Sequence, residues 1–245
     1  MTFLDMKYLI GSFFILISMN GLSQVDQINL DWANLKKYAK ENADLQPPAK
    51  GEHRIVFMGN SITESWKVKD EAFFYDRGYI DRGISGQTTP QMLLRFPADV
   101  IALKPSVVVI LAGINDIAEN TGPIPLTDTY RNIIAMVKLA RANKIKVVVS
   151  SVLPANRFPW RPQIKPAEKV IALNAMLRAY CKTHGIVYLD YYPGMVDYAK
   201  GLDKKYTEDG VHPTLAGYKV MEPLVETAIE KALRKRSILK IKSKK

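Results

Sequence analysis

The sequence predicts a doubly wound α/β domain with helices on both faces of a mainly parallel five-stranded sheet. Apolar runs alternate with helical patterns along the chain, which is typical of strand–helix–strand units. The strongest runs, at residues 107–111 and 147–149, are continuous Val, Ile and Leu, as expected for strands buried on both faces. No repeat, low-complexity linker or second composition interrupts the pattern, so we predict one domain over residues 24–235.

Each element has its own signal in the sequence. Apolar residues at helical spacing after Asp31, a plausible cap, predict a first helix over residues 31–42, and Pro47-Pro48 marks a connector. Apolar runs predict strands at residues 55–58, 79–81, 107–111, 147–152 and 186–189. Helical periodicity predicts further helices at residues 88–103, 126–143, 166–184 and 214–234.

The N-terminus has the layout of a secretory signal. Lys7 precedes an apolar run over residues 8–19, and small residues follow at Gly21 and Ser23. We therefore predict cleavage between Ser23 and Gln24 and export to the periplasm or the medium. The run is shorter than the roughly 18–20 residues of a spanning helix, so we predict no stable membrane insertion; an uncleaved anchor is the alternative. The 222 residues that follow suffice for a core without disulfides.

The net charge of +11 is concentrated at the C-terminus. The last fifteen residues hold eight of the 35 Lys and Arg and no acid, which leaves 27 basic against 24 acidic residues elsewhere. We interpret residues 236–245 as a basic, solvated tail and predict no nucleic-acid partner. Weak contact of the tail with an anionic membrane or cell-wall polymer is the alternative.

The sequence predicts no metal and no organic cofactor. It has no paired histidine motif, no phosphate-binding loop and no cysteine cluster. Its one cysteine, Cys181, lies in an apolar-periodic stretch and is predicted to be a buried small residue.

Polar segments follow the predicted strands where a parallel sheet binds ligands. Ser61 comes after the first strand, and Asp209 precedes His212 by three residues after the last strand. A serine nucleophile needs an imidazole to take its proton and an acid to orient that imidazole. His53 precedes the first strand, and His184 stands at a predicted helix end, so His212 is the candidate base.

An ester hydrolase also needs donors for the oxyanion that forms on the carbonyl oxygen. The Ser61 backbone N–H, a backbone N–H at Gly86 and the side-chain amide of Asn115 are the candidates, since all three follow predicted strands. Taken one at a time these motifs have simpler explanations. Ser61 with Glu64 fits a capping box, Gly86 fits a turn, Asn115-Asp116 fits a strand-ending turn with a cap, and Asp209 could cap the last helix.

Together the four segments resemble the blocks of the SGNH (GDSL) hydrolase family. The segments are Gly59-Asn-Ser-Ile, Gly86, Gly113-Ile-Asn-Asp and Asp209-Gly-Val-His, in the family's order. The resemblance implies a three-layer flavodoxin-like fold, with Ser61 as nucleophile and first oxyanion donor. It also implies that Gly86 and Asn115 complete the oxyanion hole and that Asp209 orients the base His212. The family's commonest block has Asp before the serine, where this chain has Asn60.

The predicted function is hydrolysis of small acyl esters, acetyl in particular, on a carbohydrate. Trp160 and Arg161 lie in a loop after the fourth strand, where a flat aromatic and a cation could hold a sugar or an acidic group; packing of the loop is the alternative. Asn60 is a third candidate for substrate binding. Alternatives are a lipid-ester hydrolase of the same chemistry, such as a lysophospholipase, and a non-catalytic carbohydrate-binding protein. Oligomeric state is open.

Overall fold

Five parallel strands form the sheet of the computed structural model, which describes residues 31–234. The strands are β1 (Ile55–Gly59), β2 (Tyr79–Gly83), β3 (Val107–Leu111), β4 (Lys146–Ser150) and β5 (Val187–Leu189). Their spatial order is β2-β1-β3-β4-β5, and the register pairs Gly59 with both Gly83 and Leu111 at the carboxyl ends. The predicted α/β class and five-stranded sheet are therefore confirmed. Because the order reverses beside β1, the crevice at its carboxyl end is where this architecture binds ligands.

Helices cover both faces of the sheet. They are α1 (Ala39–Asp44), α2 (Ser61–Lys69), α3 (Glu71–Tyr75), α4 (Thr89–Phe96), α5 (Ile114–Ile117), α6 (Leu126–Ala142), α7 (Ala167–His184), α8 (Tyr192–Met195) and α9 (Leu215–Arg234). A π-helical turn, Pro97–Ile101, continues α4, and a 3-10 turn covers Lys204–Tyr206. Helices α2, α3 and α9 pack together on one side, and α4, α6 and α7 on the other. Right-handed crossovers explain why α2 and α3 lie on one face and α4, α6 and α7 on the other. The chain moves across the sheet in one direction from β1 to β2 and in the opposite direction from β2 to β5.

The prediction of a first helix over residues 31–42 is wrong for residues 31–38, whereas residues 39–42 are helical. Turns occupy residues 31–38, and α1 begins only at Ala39. Asn34 adopts a left-handed backbone with φ 54°, which a continuous α-helix cannot contain. Tyr38 instead places its hydroxyl against the carbonyl of Gly83, so tertiary contacts override the helical periodicity here.

An aromatic cluster fixes α2 against α9. The ring of Trp66 stacks on those of Phe73 and Tyr218, with centroid separations of 5.1 and 5.2 Å. The Tyr218 hydroxyl donates to the carbonyl oxygen of Ile62 at 2.8 Å. The two bonded residues are 156 positions apart in the chain. Their buried bond joins the helix that begins at Ser61 to the helix that follows His212. Trp66 is buried, and so is Cys181, as predicted for that cysteine.

The predictions for the two chain ends lie outside the described residues. This holds for the signal segment 1–23 with its cleavage site and for the basic tail 236–245. Residues 33–234 belong to one compact unit, whereas Asp31 and Trp32 belong to a separate N-terminal unit. None of the helices within residues 31–234 combines the length and the apolar character needed to cross a membrane.

Candidate active site

A serine, a histidine and an aspartate form a hydrogen-bonded chain at the carboxyl edge of the sheet. Ser61 Oγ lies 2.9 Å from Nε2 of His212. His212 Nδ1 lies 2.6 Å from Oδ2 of Asp209. The structure thus brings together three residues that span 151 positions of the chain. This is the geometry in which an imidazole takes a proton from a serine hydroxyl while a carboxylate holds its tautomer.

The hydroxyl of Ser61 is available because its neighbour caps the helix. Asn60 is the N-cap of α2, and its Oδ1 accepts a hydrogen bond from the Ile62 backbone at 3.1 Å. The capping-box alternative for Ser61 and Glu64 is therefore wrong, since Ser61 is the first helical residue. Asn60 itself is buried, and its predicted role in substrate binding remains a prediction.

The turn from β1 into α2 is unusually tight. A Cβ atom added to Gly59 would stand 1.9 Å from Oγ1 of Thr63, a separation that no side chain can occupy. The first turn of α2 therefore folds directly back over the end of β1. This places the Ser61 backbone N–H at a helix N-terminus, where the macrodipole favours a developing negative charge.

His212 and Asp209, the predicted base and its acid, lie on one short loop that is held by its own hydrogen bonds. Oδ1 of Asp209 accepts hydrogen bonds from the backbone N–H groups of Val211 and His212, each at 2.8 Å. Thr207 Oγ1 donates to the His212 carbonyl at 2.8 Å. The other explanation for Asp209, a cap on the last helix, is wrong because its side chain bonds within this loop and α9 begins at Leu215.

Two opposing effects act on the pKa of Asp209. Partial burial raises it, but hydrogen bonds from the His212 side chain and from the His212 and Val211 N–H groups together lower it below the usual value. The carboxylate therefore stays ionised at neutral pH. An ionised Asp209 can hold the imidazole in the tautomer with its proton on Nδ1 and stabilise the imidazolium that forms.

The predicted oxyanion donors follow three neighbouring strands. In the described part of the chain, the N–H groups of Ser61 and Gly86 have no hydrogen-bond acceptor. Asn115 is buried and donates one amide hydrogen to the Gln87 carbonyl at 2.9 Å, which leaves the second for a ligand. Gly86 has a φ of 77°, a left-handed backbone that glycine adopts without strain.

A buried aspartate, Asp116, directly follows the predicted donor Asn115 in the chain. Asp116 accepts hydrogen bonds from the Thr89 backbone N–H, at 3.0 Å, and from the Thr89 hydroxyl. It therefore binds the N-terminus of α4 and joins the Asn115 segment to the one that follows Gly86. Burial raises the pKa of Asp116 to about 6, even though the bonds from Thr89 act to lower it.

The loop after β4 places an aromatic ring beside the base. The Trp160 ring centroid lies 6.1 Å from that of His212, and the indole is 42% exposed. Trp160 Nε1 donates to Oδ1 of Asn120 at 3.2 Å, and Asn120 Nδ2 approaches the Gly86 carbonyl at 3.4 Å. Arg161 donates to the Glu119 carbonyl at 3.3 Å. Asn120 was absent from the predicted site, and its only signal was its position shortly after the Asn115-Asp116 segment.

The two other histidines are engaged elsewhere. His53 Nδ1 lies 3.4 Å from the Ser106 hydroxyl, before β1. His184 ends α7, and its Nδ1 lies 2.9 Å from the Tyr180 carbonyl. Within residues 31–234, no three His, Cys, Asp or Glu side chains are arranged to hold a metal ion. The predicted absence of a cofactor remains a prediction.

Comparison with known proteins places the chain among ester hydrolases. The model of the GDSL-like Lipase/Acylhydrolase family matches residues 57–220, which include all four predicted blocks, and confirms the predicted resemblance. A GDSL-like lipase structure from Bacteroides thetaiotaomicron shares 56% identity at a TM-score of 0.80, over 82% of this chain and 99% of that one. Esterase TesA from Pseudomonas aeruginosa is 27% identical over 68% of this chain and 78% of its own length.

A more distant likeness concerns the fold alone. An acetylxylan esterase structure from Geobacillus stearothermophilus superimposes with a TM-score of 0.58 at 17% identity. The match covers 76% of this chain and 96% of that one.

Proposed function

We propose a mechanism and a substrate class for this chain, which belongs to the GDSL-like Lipase/Acylhydrolase family and is an ester-bond hydrolase. In this proposal an exported protein removes a small acyl group, acetyl in particular, from a carbohydrate through an acyl-enzyme on Ser61. The observation that carries the mechanism is the continuous hydrogen-bonded chain from Ser61 through His212 to Asp209.

The first half-reaction transfers the acyl group to the enzyme. Nε2 of His212 takes the Ser61 hydroxyl proton as Oγ attacks the ester carbonyl. The negative charge that develops on the carbonyl oxygen is stabilised by the N–H groups of Ser61, Gly86 and Asn115. The C–O bond to the alcohol then breaks, and the imidazolium returns the proton to the departing alkoxide.

The second half-reaction regenerates the serine. Water occupies the place of the alcohol and loses a proton to His212 as its oxygen attacks the acyl carbonyl. The same donors stabilise the second oxyanion, which collapses to release the carboxylic acid and restore the Ser61 hydroxyl. Asp209 stays ionised throughout and stabilises each imidazolium.

The surface beside the base supports a carbohydrate as the alcohol. Trp160 offers a partly exposed ring face next to His212, where the leaving alcohol must stand to receive its proton. Asn120 bonds to the indole N–H of Trp160, and Arg161 follows Trp160 and bonds to the Glu119 carbonyl. Their amide and guanidinium groups are hydrogen-bond donors that suit sugar hydroxyls. The likeness to an acetylxylan esterase concerns the fold alone. The proposed substrate class therefore rests on the residues beside His212 and not on that likeness.

A lipid ester is the second candidate, because a structure named a GDSL-like lipase shares 56% identity with this chain. A long acyl chain requires an apolar groove that leads to Ser61. A cavity of about 350 Å³ does open along α7, but its lining includes none of the triad or oxyanion residues. Its walls are formed by Ile171, Asn174, Ala175, Arg178, Ala179, Lys182 and Tyr192.

Nitrophenyl esters of increasing acyl length test both the chemistry and the substrate. We expect p-nitrophenyl acetate to be cleaved with a burst of acylation, and the octanoate ester to be cleaved much more slowly. Ser61→Ala should lower kcat by about 10⁴-fold or more and abolish the burst, whereas Ser106→Ala, a matched loss of a hydroxyl outside the site, should leave both unchanged. Full activity of Ser61→Ala would refute the nucleophile, and faster octanoate cleavage would favour the lipid ester.

Two further measurements address the remaining parts of the proposal. A fluorophosphonate probe should label the parent at Ser61, and absence of labelling at neutral pH would favour a non-catalytic binding protein. Export is supported by the signal-like layout of residues 1–23. Protein recovered outside the cytoplasm should begin at Gln24.

A further inference from the structure

We propose that Glu64 is a positioning residue that holds the Gly86 N–H at the oxyanion by tying its loop to the nucleophile's helix. The loop of residues 84–88 joins β2 to α4 and carries Gly86, the second predicted donor. The proposal rests on the proposed function, since it concerns the geometry of the same oxyanion hole.

Two hydrogen bonds connect the helix to the loop. Oε2 of Glu64 accepts one from the Ser85 backbone N–H at 2.7 Å and a second from the Ser85 hydroxyl. Both bonds act on Ser85, whose carbonyl carbon is joined to the Gly86 nitrogen, so they restrain the residue directly before the Gly86 N–H. Glu64 stands three residues after Ser61, about one helical turn along α2. The carboxylate therefore connects the helix that carries the Ser61 N–H to the loop that carries the Gly86 N–H.

The capping of α2 leaves Glu64 available for this role. In a capping box, a glutamate three residues after the N-cap folds back onto its own helix terminus. Glu64 lies four residues after the N-cap Asn60 and so falls outside that pattern. Here Asn60 supplies the cap, and the Glu64 side chain points across to the next strand's loop instead.

Close packing of α2 on β2 brings the carboxylate within reach of Ser85. A Cβ atom on Gly83 would lie 2.2 Å from the Glu64 backbone nitrogen and 2.8 Å from the Asn60 carbonyl. Only glycine permits this approach, and Gly83 lies two residues before Ser85. The absence of a side chain at Gly83 is thus a requirement for the Glu64–Ser85 contact.

The other contacts of the loop act at its ends or are longer. Ile84 N–H donates to the Gly59 carbonyl at 3.2 Å, and the Gln87 carbonyl accepts from Asn115 at 2.9 Å. At Gly86 itself, Asn120 reaches the carbonyl at 3.4 Å. Within the described residues, the hydrogen bonds of Ser85 both go to Glu64. The Gln87 N–H donates to the Ile84 carbonyl at 3.3 Å and closes a turn around Ser85 and Gly86. The Glu64 carboxylate ties the middle of that turn to α2.

Glu64 is held in turn by a cation. Lys37 pairs with Oε1 of Glu64, so that each carboxylate oxygen has its own partner. Burial raises the pKa of Glu64, but the bonds from Lys37 and Ser85 outweigh it and lower the pKa below the usual value. The carboxylate is therefore ionised at neutral pH, where its hydrogen bonds to Ser85 are charge-assisted and stronger than neutral ones.

This role predicts a specific kinetic signature. The Gly86 donor matters when charge develops on the carbonyl oxygen, so misplacing it raises the barrier without weakening ground-state binding. We expect Glu64→Ala to lower kcat on p-nitrophenyl acetate by about tenfold or more, less than the 10²–10³-fold of an oxyanion donor removed outright. KM should stay within about twofold. Fluorophosphonate labelling of Ser61 should slow in parallel, because the phosphoryl oxygen occupies the same hole.

Graded variants separate the hydrogen bonds from the charge and from folding. Glu64→Gln keeps an acceptor for the Ser85 N–H and should restore kcat to within about threefold of the parent. Ser85→Ala loses only the hydroxyl contact and should show a smaller fall than Glu64→Ala. Glu226→Ala, which removes a comparable surface ion pair with Arg77, is the matched control and should leave kcat unchanged.

The outcomes distinguish this inference from the proposed function. A kcat for Glu64→Ala within twofold of the parent would overturn the positioning role, as would a raised KM with unchanged kcat. The same would follow if Glu64→Gln lost as much as Glu64→Ala. None of these results touches the nucleophile, which fails only if Ser61→Ala stays active. If Glu64→Ala does not fold, Ser85→Ala replaces it as the test, provided that its thermal unfolding is unchanged. A lowered kcat is then expected, and an unchanged kcat would overturn the positioning role.

Discussion

The base side and the donor side of the site are built in opposite ways. Asp209 and His212 lie on a loop with side chains 39% and 32% exposed, whereas the proposed donor Asn115 is buried at 3% exposure. The base side is held by bonds within residues 207–212. The donor side draws on segments after β1, β2 and β3 that meet only in the folded sheet. Orientation of the proposed base is thus a local property, whereas the proposed oxyanion hole depends on the whole fold.

The two acids of the site show what this difference does to charge. Hydrogen bonding lowers the pKa of Asp209 despite partial burial, whereas burial raises the pKa of Asp116 to about 6 despite hydrogen bonds from Thr89. Ionised Asp209 therefore contributes stability at neutral pH that is lost as the pH falls through its folded pKa. Asp116 has the opposite sign: stability is greatest at acid pH and declines as the pH rises through about 6.

The largest effect should come from the base side. Asp209→Asn should lower kcat by about 10³–10⁴-fold, because an amide no longer enforces the tautomer of His212 or stabilises its imidazolium. Steady-state hydrolysis of p-nitrophenyl acetate measures the loss. The exposed ion-pair residue Asp128 provides a control, and Asp128→Asn should be fully active. A loss below tenfold for Asp209→Asn would show that His212 is oriented by its loop alone.

A smaller effect is expected on the donor side. Asn115→Ala removes one oxyanion donor and should lower kcat by about 10²–10³-fold with little change in KM. Asn143→Ala removes an exposed amide that bonds to the Leu139 carbonyl of its own helix, and it should be neutral. If Asn115→Ala changed KM and left kcat intact, Asn115 would bind substrate in the ground state and the oxyanion assignment would be wrong.

The smallest effect concerns stability on the donor side. A pKa raised from 3.8 to about 6 corresponds to a loss of about 2 kcal/mol of unfolding free energy between pH 4 and pH 7. Asp116→Asn has no titrating group at this position, so the variant should gain stability relative to the parent over that range. Urea unfolding of both proteins at pH 4, 5, 6 and 7 gives the difference. A difference that does not change with pH would show that Asp116 keeps an ordinary pKa.

The difference between the two sides also determines which contacts of the site could be predicted from the sequence. Asp209 and His212 are three residues apart, so their contact follows from spacing, and the strand-end positions of Ser61 and Asn115 follow from hydrophobic runs. Helical spacing failed for residues 31–38, where Asn34 turns left-handed and Tyr38 contacts Gly83. The capping pattern at Ser61 and Glu64 was also misleading, because a cap and a tertiary contact use the same residue types.

The sequence by itself determined the succession of the five strands and of the four long helical segments along the chain, the four polar blocks and the pairing within the Asp209–His212 loop. These depend on periodicity and on contacts between near neighbours, which the chain encodes locally. Only the tertiary structure decided that Glu64 would bind Ser85, that Trp160 would lie beside His212 and that Asn120 would join the site. Such contacts depend on sheet register and helix packing, which arise from burial of the whole core rather than from any one segment.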